Sequence, residues 1–495
     1  MPHRMARQRL QGAQVVGQPV SCRRRQAKAD VPASSLRLLD HRRQCQHRWC
    51  CGPQEVQNSI SRHDPMQQGG ARAAQATRFT PRPWCGRVSS APSVTEPRGS
   101  VMASPAPDTV GARIAACRKL RHLTQRALAE RASISYSLMF QIEQGRKPAS
   151  SAVLAALSRA LSVPVADLTG QPYLEELRQD QLDGLIQPIR EALDVYDLGA
   201  DPDISARPVV DLIAHADRIC AAVRAGDLRT AAAELPGLIT EATTAAHATG
   251  DDRGWGTLAS TYRSAYDVAT KLGFHDLSSI ALGRMAWASE RASDAVSAGT
   301  RQYLRSLAYL RAGQYRTGMR LAEAGRKVTE QAAPGAERDA VTGQLHLGSA
   351  VLAARAGNSD DMTEHIAAAA RIAETTGEIP RVRWLTFGPT NVVVHHTSAL
   401  IDQARFAEAL SVARSITVPA DWPASRAAHH QAEIARAQLW TGRSDAAFRS
   451  LLAARELAPQ QSRHSPAVRE TLAGIVRAQR TTPDTVANFA AWVGM

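Results

Sequence analysis

The sequence predicts an all-α protein. A small five-helix module is followed by a solenoid of stacked helix pairs, and a long N-terminal segment has no fold of its own. Three observations carry that expectation. Turn markers Gly226, Gly273, Gly313, Gly357, Ala404 and Gly442 recur at intervals of 47, 40, 44, 47 and 38 residues, the repeat length of stacked helix pairs. Between Thr109 and Leu168, short apolar faces alternate with helix caps. The first 101 residues show neither a helical nor a strand period.

That first stretch, residues 1–101, is expected to be disordered, because its Arg clusters (Arg23 to Arg25, Arg42 and Arg43), Gln runs and scattered Pro offer no face to bury. It also reads as upstream sequence translated from a start codon placed too early, since an ordinary folded pattern begins soon after Met102. Two functional alternatives are a basic arm on DNA phosphates and a zinc knot at His41, Cys45, His47, Cys50 and Cys51. Adjacent cysteines are poor tetrahedral spacing, which disfavours the zinc knot.

The net charge of +14 divides unevenly: residues 1–101 hold 17 basic and 5 acidic side chains, residues 102–173 hold 9 and 4, and residues 174–495 hold 34 and 37. The basicity therefore lies in the first third. Only 5 of the 60 basic residues are Lys, which reflects GC-rich codons and not chemistry. Cys117 and Cys220 are isolated on apolar helix faces and read as small buried hydrophobes, with no disulfide framework. No apolar run reaches the ~18 residues a membrane span needs. The N-terminus has no compact apolar region of a secretory signal. A cytoplasmic protein that does not enter membranes is expected.

Within residues 102–173 the elements follow in order. Val110, Ile114, Cys117 and Leu120 form one helix face. Thr124 caps a helix from Gln125 to Ala132, and Ser135 caps another from Tyr136 to Gln144, which Gly145 stops. Pro148 and Ser150 open a fourth helix with Val153, Leu154, Leu157 and Leu161 on one side, and Pro164 precedes a last turn from Val165 to Leu168. Residues 174–208 read as a linker helix (Leu174, Leu177, Leu185, Ile189, Leu193) ended by the Asp201-Pro202-Asp203 turn. Residues 209–495 show only helical pattern. One helix pair cannot bury its apolar face alone, so neighbours must stack.

The module resembles the helix-turn-helix domain of the XRE/Cro-repressor-like family. The matching stretches are Leu123-Thr-Gln-Arg-Ala-Leu-Ala-Glu130, Ile134-Ser-Tyr-Ser-Leu-Met-Phe-Gln-Ile-Glu-Gln-Gly145 and Leu154-Ala-Ala-Leu-Ser-Arg-Ala-Leu-Ser-Val163. A recognition helix of this kind enters the major groove with its first turns on base edges. Ile134, Met139 and Ile142 point inward, and by the resemblance Tyr136, Ser137, Phe140 and Gln141 face the bases. Gln141 suits adenine and Phe140 a thymine methyl. Gln125, Arg118, Arg146 and Lys147 are expected on phosphates, with Arg118 oriented by a pair to Glu143. Ser133 stands at the inter-helix turn where the family usually has Gly.

The C-terminal region is similar to tetratricopeptide arrays. Gly442-Arg-Ser-Asp-Ala-Ala-Phe-Arg-Ser-Leu-Leu-Ala-Ala-Arg-Glu-Leu-Ala-Pro459 matches the turn and second helix of that repeat. The order of segments looks like actinobacterial-type XRE regulators with tetratricopeptide-like sensors, through Pro188-Ile-Arg-Glu-Ala-Leu193, Lys271-Leu-Gly-Phe-His-Asp276 and Phe387-Gly-Pro-Thr-Asn391. The resemblance implies a sequence-specific transcriptional regulator on double-stranded operator DNA, an inverted repeat, bound as a homodimer. A small-molecule, peptide or protein effector would occupy the solenoid's concave groove. Phe387, Thr390, Asn391 and His395 form a candidate ligand loop there, although Gly388-Pro389 also reads as a plain turn before a helix. A competing expectation is an interaction scaffold with a vestigial or non-specific helix-turn-helix. No cofactor or metal is expected, since His395/His396 and His429/His430 are adjacent on helices and point apart. No phosphate-binding, dinucleotide, zinc-protease or serine-nucleophile motif occurs, so an enzyme is not expected.

Overall fold

The computed structural model describes residues 109–479 and 483–495. The expectations for residues 1–101, disorder, basic arm and zinc knot alike, lie outside the described residues. No helix among the described residues is long and apolar enough to cross a membrane.

The first module comprises α1 (Val110–Leu120), α2 (Gln125–Arg131), α3 (Tyr136–Glu143), α4 (Ser151–Leu161) and α5 (Val165–Thr169). The caps expected at Thr124, Ser135 and Ser150 are present, and Thr109 adds another at the start of α1. The hydroxyls of Thr109, Thr124, Ser135 and Ser150 accept from the amides of Ala112, Ala127, Leu138 and Val153 at 3.1–3.3 Å. Each such cap is worth ~1 kcal/mol. Ile114, Leu128, Met139, Ile142, Leu157, Leu161 and Leu168 form the module's own core. Ser133 adopts the left-handed conformation at φ 53°, the inter-helix position where Gly costs less. Leu120, expected on the buried face, is instead 79% exposed at the end of α1.

One contact was not evident from the pattern. A Cβ on Gly111 would sit 2.2 Å from the Ile142 carbonyl oxygen, so only glycine lets α1 lie this close to the end of α3.

The expected linker helix is corrected. Residues 174–208 contain α6 (Leu174–Gln179), a 3-10 turn at Asp183–Leu185 and α7 (Ile186–Asp194). Gln181, at φ 55°, breaks the run. Leu177, Leu182, Ile186, Ile189 and Leu193 are buried in the same core as the first repeat helices. A stripe that apolar gains ~1.5–3 kcal/mol per large side chain by docking, so it does not remain a free spacer.

Six helix pairs follow. They are α8 (Val209–Ala225) with α9 (Leu228–Thr249), α10 (Asp252–Leu272) with α11 (His275–Arg291), and α12 (Ala295–Arg311) with α13 (Tyr315–Thr329). The others are α14 (Ala336–Ala356) with α15 (Ser359–Thr376), α16 (Pro389–Asp402) with α17 (Phe406–Ala413), and α18 (Ala424–Trp440) with α19 (Ser444–Leu457). The array ends in α20 (Pro459–Arg463), α21 (Pro466–Ala478) and α22 (Asp484–Trp492). The six expected turn markers each lie between the two helices of a pair, all with positive φ. Ala404 is the one marker with a side chain, and a non-glycine residue there costs ~1 kcal/mol.

Where only helical pattern was expected, a hairpin interrupts the array. Strands β1 (Ile379–Val382) and β2 (Leu385–Phe387) pair antiparallel, with Val382 opposite Leu385. Arg383 and Trp384 make the turn, both left-handed at φ 42° and 59°. This is the backbone twist that two-residue hairpin turns require.

The array also closes on itself. The first helices α8 and α10 lie side by side, as do α12, α14, α16 and α18 in turn, with α12 joined to the second pair through α11, and α18 returns to lie against α8. The Arg229 amide donates to Gln460 Oε1 at 2.9 Å. Arg469 pairs with Glu176 at 2.6 Å, and both Arg463 and His464 reach Asp180. An open concave groove was expected; the inner face is instead ringed.

The first module is seated on this ring. Arg159 Nη1 donates to the Gly313 carbonyl at 2.9 Å. A Cβ on Gly313 would fall 2.2 Å from Ala155 Cβ, so α4 rests directly on the turn of the third pair.

Candidate nucleic-acid interface

Helix α3 has two unlike sides. Met139 and Ile142 are buried in the module core, whereas Tyr136 and Phe140 stand 47% and 36% exposed. Ser137 is exposed beside them and Gln141 half-buried. The outward edge is the one expected from the sequence. The two rings lie 6.4 Å apart between centroids. Gln141 Nε2 donates to Ser137 Oγ at 2.9 Å, so the amide is already aligned along the helix.

Cations frame this edge. Arg146 and Lys147 are exposed just past the helix end, which Gly145 closes at φ 66° while the Arg146 amide donates to the Gln141 carbonyl at 2.8 Å. Arg146 lies 5.9 Å from the Phe140 ring centroid. Arg126, on α2, lies 5.8 Å from that of Tyr136. Sequence reasoning missed Arg126. Its signal was its place in the first turn of α2, beside the outward edge of α3. A guanidinium stacked on an aromatic face keeps its N–H groups free at the rim for phosphate oxygens.

Two expectations are corrected. Arg118 Nε and Nη2 donate to Glu143 Oε1 and Oε2 at 2.6 and 2.9 Å, and Nη1 donates to the Leu123 carbonyl at 2.7 Å. The side chains of Arg118 and Glu143 are only 12% and 4% exposed. The expected pair is thus present, but it turns Arg118 inward and not toward phosphate. Its hydrogen bond to Glu143 raises the guanidinium pKa above the usual value. Gln125, also expected on phosphate, donates from Nε2 to Glu143 Oε2 at 2.6 Å. A nearly buried carboxylate needs its lone pairs filled, and these two side chains are the donors at hand. Glu143 thereby ties α1 and α2 to the end of α3.

The candidate ligand loop is corrected as well. Phe387 is fully buried against Gly343, where a Cβ would meet its ring at 2.1 Å. Thr390 is buried, its amide donating to Glu378 Oε1 at 2.7 Å at the start of α16. Asn391 donates to Gln344 Oε1 and the Thr386 carbonyl at 2.8 and 2.6 Å, and accepts from Arg426 at 2.6 Å. His395 Nδ1 lies 2.9 Å from the Asn391 carbonyl. The segment is a buried brace, not an open loop.

A family model for a helix-turn-helix domain matches residues 109–169. The immunity repressor protein of Bacillus phage phi105 is 44% identical over 66 residues, which is 13% of this chain and 46% of the repressor. The match therefore spans less than half of that relative. The crystal structure of Bacillus thuringiensis PlcR in complex with the peptide PapR7 and DNA is 14% identical over 62% of this chain and 94% of that chain, with a TM-score of 0.25. A superposition that loose adds no weight to the fold. Residues 109–169 are a helix-turn-helix domain, and a helical-repeat array follows it.

Proposed function

We propose that the protein is a sequence-specific DNA-binding transcriptional regulator, with residues 109–169 reading an operator and the helical array sensing an effector. The observation that carries this reading is the outward edge of α3: Tyr136, Ser137 and Phe140 exposed, with the half-buried Gln141 beside them, between Arg126 on one side and Arg146 and Lys147 on the other. Apolar and hydrogen-bonding groups read bases, while the flanking cations hold phosphates and set register. The phage repressor match over 66 residues supports the same role for this module.

One such module reaches few bases, so useful specificity calls for two half-sites; we propose a homodimer on an inverted repeat. The effector is a small molecule, a peptide or a protein at the array's inner face. The protein acts in the cytoplasm and is not an enzyme. Selection of the full chain on a randomised duplex library tests the proposal. The expected result is enrichment of a palindromic site whose affinity exceeds that for random duplex by ~10³ or more. Binding that depends on salt but not on sequence would overturn it in favour of a scaffold with a vestigial helix-turn-helix.

A further inference from the structure

We propose that a cavity at the starts of α10 and α12 is the effector site, taking a polar small molecule without net charge. These two helices carry its occupancy to the DNA-reading module seated on their far ends. This deepens the reading of the array as the sensing part and rests on it.

The cavity and the seat lie at opposite ends of the same two helices. A cavity of about 810 Å³ is lined by Asp252, Gly256 and Ser260 in the first half of α10 and by Ala295, Val296 and Ser297 at the start of α12. The volume falls within the range of small-molecule sites. Helix α10 ends at Gly273, where a Cβ would stand 3.1 Å from Gln171 Cβ and 3.3 Å from Pro172 Cα, just past the module. Helix α12 runs into the Gly313 turn, on which Ala155 rests and whose carbonyl accepts from Arg159. At 1.5 Å per residue the two helices span ~32 and ~26 Å. The module therefore rests on the two turns that close the helices whose starts wall the cavity.

Both contacts are tight, and glycine is what allows them. A close-packed contact of this kind has no slack to absorb an axial shift of the helix behind it. The seat is also narrow: among the described residues, no helix of the module packs along a helix of the array. Helix shifts of ~1–2 Å are typical of switching transitions, and a shift of that size here would tilt the module or free it.

The cavity has a hold on the start of α12. Asp294, in its wall, caps the helix by accepting from the Ser297 amide and hydroxyl at 3.0 and 2.7 Å. Arg383, in the left-handed hairpin turn, lies 3.3 Å from that carboxylate and 3.2 Å from Glu337. Ion pairs this exposed are individually weak, so an occupant displaces them at little cost. Guanidiniums and carboxylates line the cavity in equal number. Such a wall offers donors and acceptors without a net field to draw in a charged ligand.

Gly256 provides the test. A Cβ there would meet nothing within 4 Å, so a side chain added to this cavity-lining position enters open space. Gly256→Trp in the full chain acts as a tethered occupant, and Gly256→Ala controls for helix propensity. Relative to Gly256→Ala, hydrogen exchange at the Gly273 and Gly313 amides and affinity for the selected duplex should each shift ~5-fold or more. Loosening the seat with Ala155→Gly and Arg159→Gln should cut the affinity shift to below ~2-fold. Arg383→Gln frees the Asp294 cap without entering the cavity, and should alter exchange at Gly313 even if Gly256→Trp does not fold. Tethered probes also read the ligand class: Gly256→Gln should melt higher than both Gly256→Glu and Gly256→Lys. The transmission is overturned by exchange at both turns that matches Gly256→Ala, by an affinity shift that survives the loosened seat, or by unchanged Gly313 exchange in Arg383→Gln. A charged variant that melts highest overturns the neutral occupant. Should the chain prove blind to DNA sequence, exchange at the two turns still decides the transmission, so the two failures are told apart.

Discussion

Glu143→Ala is the most informative single change in the module. The carboxylate is 4% exposed and accepts three hydrogen bonds, two from Arg118 and one from Gln125. Removing it leaves a guanidinium that is 12% exposed with the Leu123 carbonyl as its remaining partner. Breaking a buried pair by deleting one member costs ~3–5 kcal/mol. Arg118 keeps one bond and has some access to water, so the lower end, about 3 kcal/mol, is expected. Hydrogen exchange at the Ile142 to Gln144 amides reads the effect locally, and about 3 kcal/mol corresponds to a loss of protection of roughly 150-fold. The double variant Arg118→Met, Glu143→Leu replaces the pair by apolar groups and should recover most of that loss, because no charge is left stranded. Equal destabilisation in single and double variants, or a loss below about 0.5 kcal/mol in Glu143→Ala, would refute the assignment of Glu143 as the tie between α1, α2 and α3.

Gly111→Ala places a methyl 2.2 Å from the Ile142 carbonyl, which is backbone and cannot rotate away; a cost of ~3 kcal/mol and weaker DNA binding are expected, read by thermal melting and by titration with the selected duplex. Gln141→Ala should cost ~1–3 kcal/mol at one base position only, whereas Lys147→Ala should weaken all duplexes alike and reduce the salt slope by about one; binding to a panel of single-base operator variants distinguishes the two. Acid should destabilise the array through His395. Burial, and then Arg426, lower this imidazole to about 3, so its neutral form is the folded one. Its contribution is complete above the unfolded pKa near 6.5 and is lost as pH falls from there toward 3, at up to ~1.4 kcal/mol per pH unit. Denaturant unfolding of His395→Gln across that window should show a correspondingly shallower acid limb, and an unchanged slope would remove His395 from the account.

Much of the local structure could be read from the residues alone. Thr124, Ser135 and Ser150 announce helix starts because a side-chain oxygen three residues before an apolar run satisfies an orphan amide. Gly226, Gly273, Gly313, Gly357 and Gly442 announce the turns of the array because a left-handed residue ends a helix at least cost in glycine. The outward edge of α3 followed from the 3.6-residue period that sends Met139 and Ile142 inward. All of these rules act within a few residues, so they leave a mark in the order of side chains. The rest depends on partners far apart in the chain. Arg463 meets Asp180 across 283 positions, Arg224 meets the hairpin across about 160, and Arg118 meets Glu143 across 25. No period or cap marks such meetings. Whether Arg118 turned to phosphate or inward, whether residues 174–208 stayed a linker, and whether the array stayed open or α18 returned to α8 were decided by what burial brought beside each group. A charge or an apolar stripe takes its role from its neighbours, and only the tertiary structure supplies them.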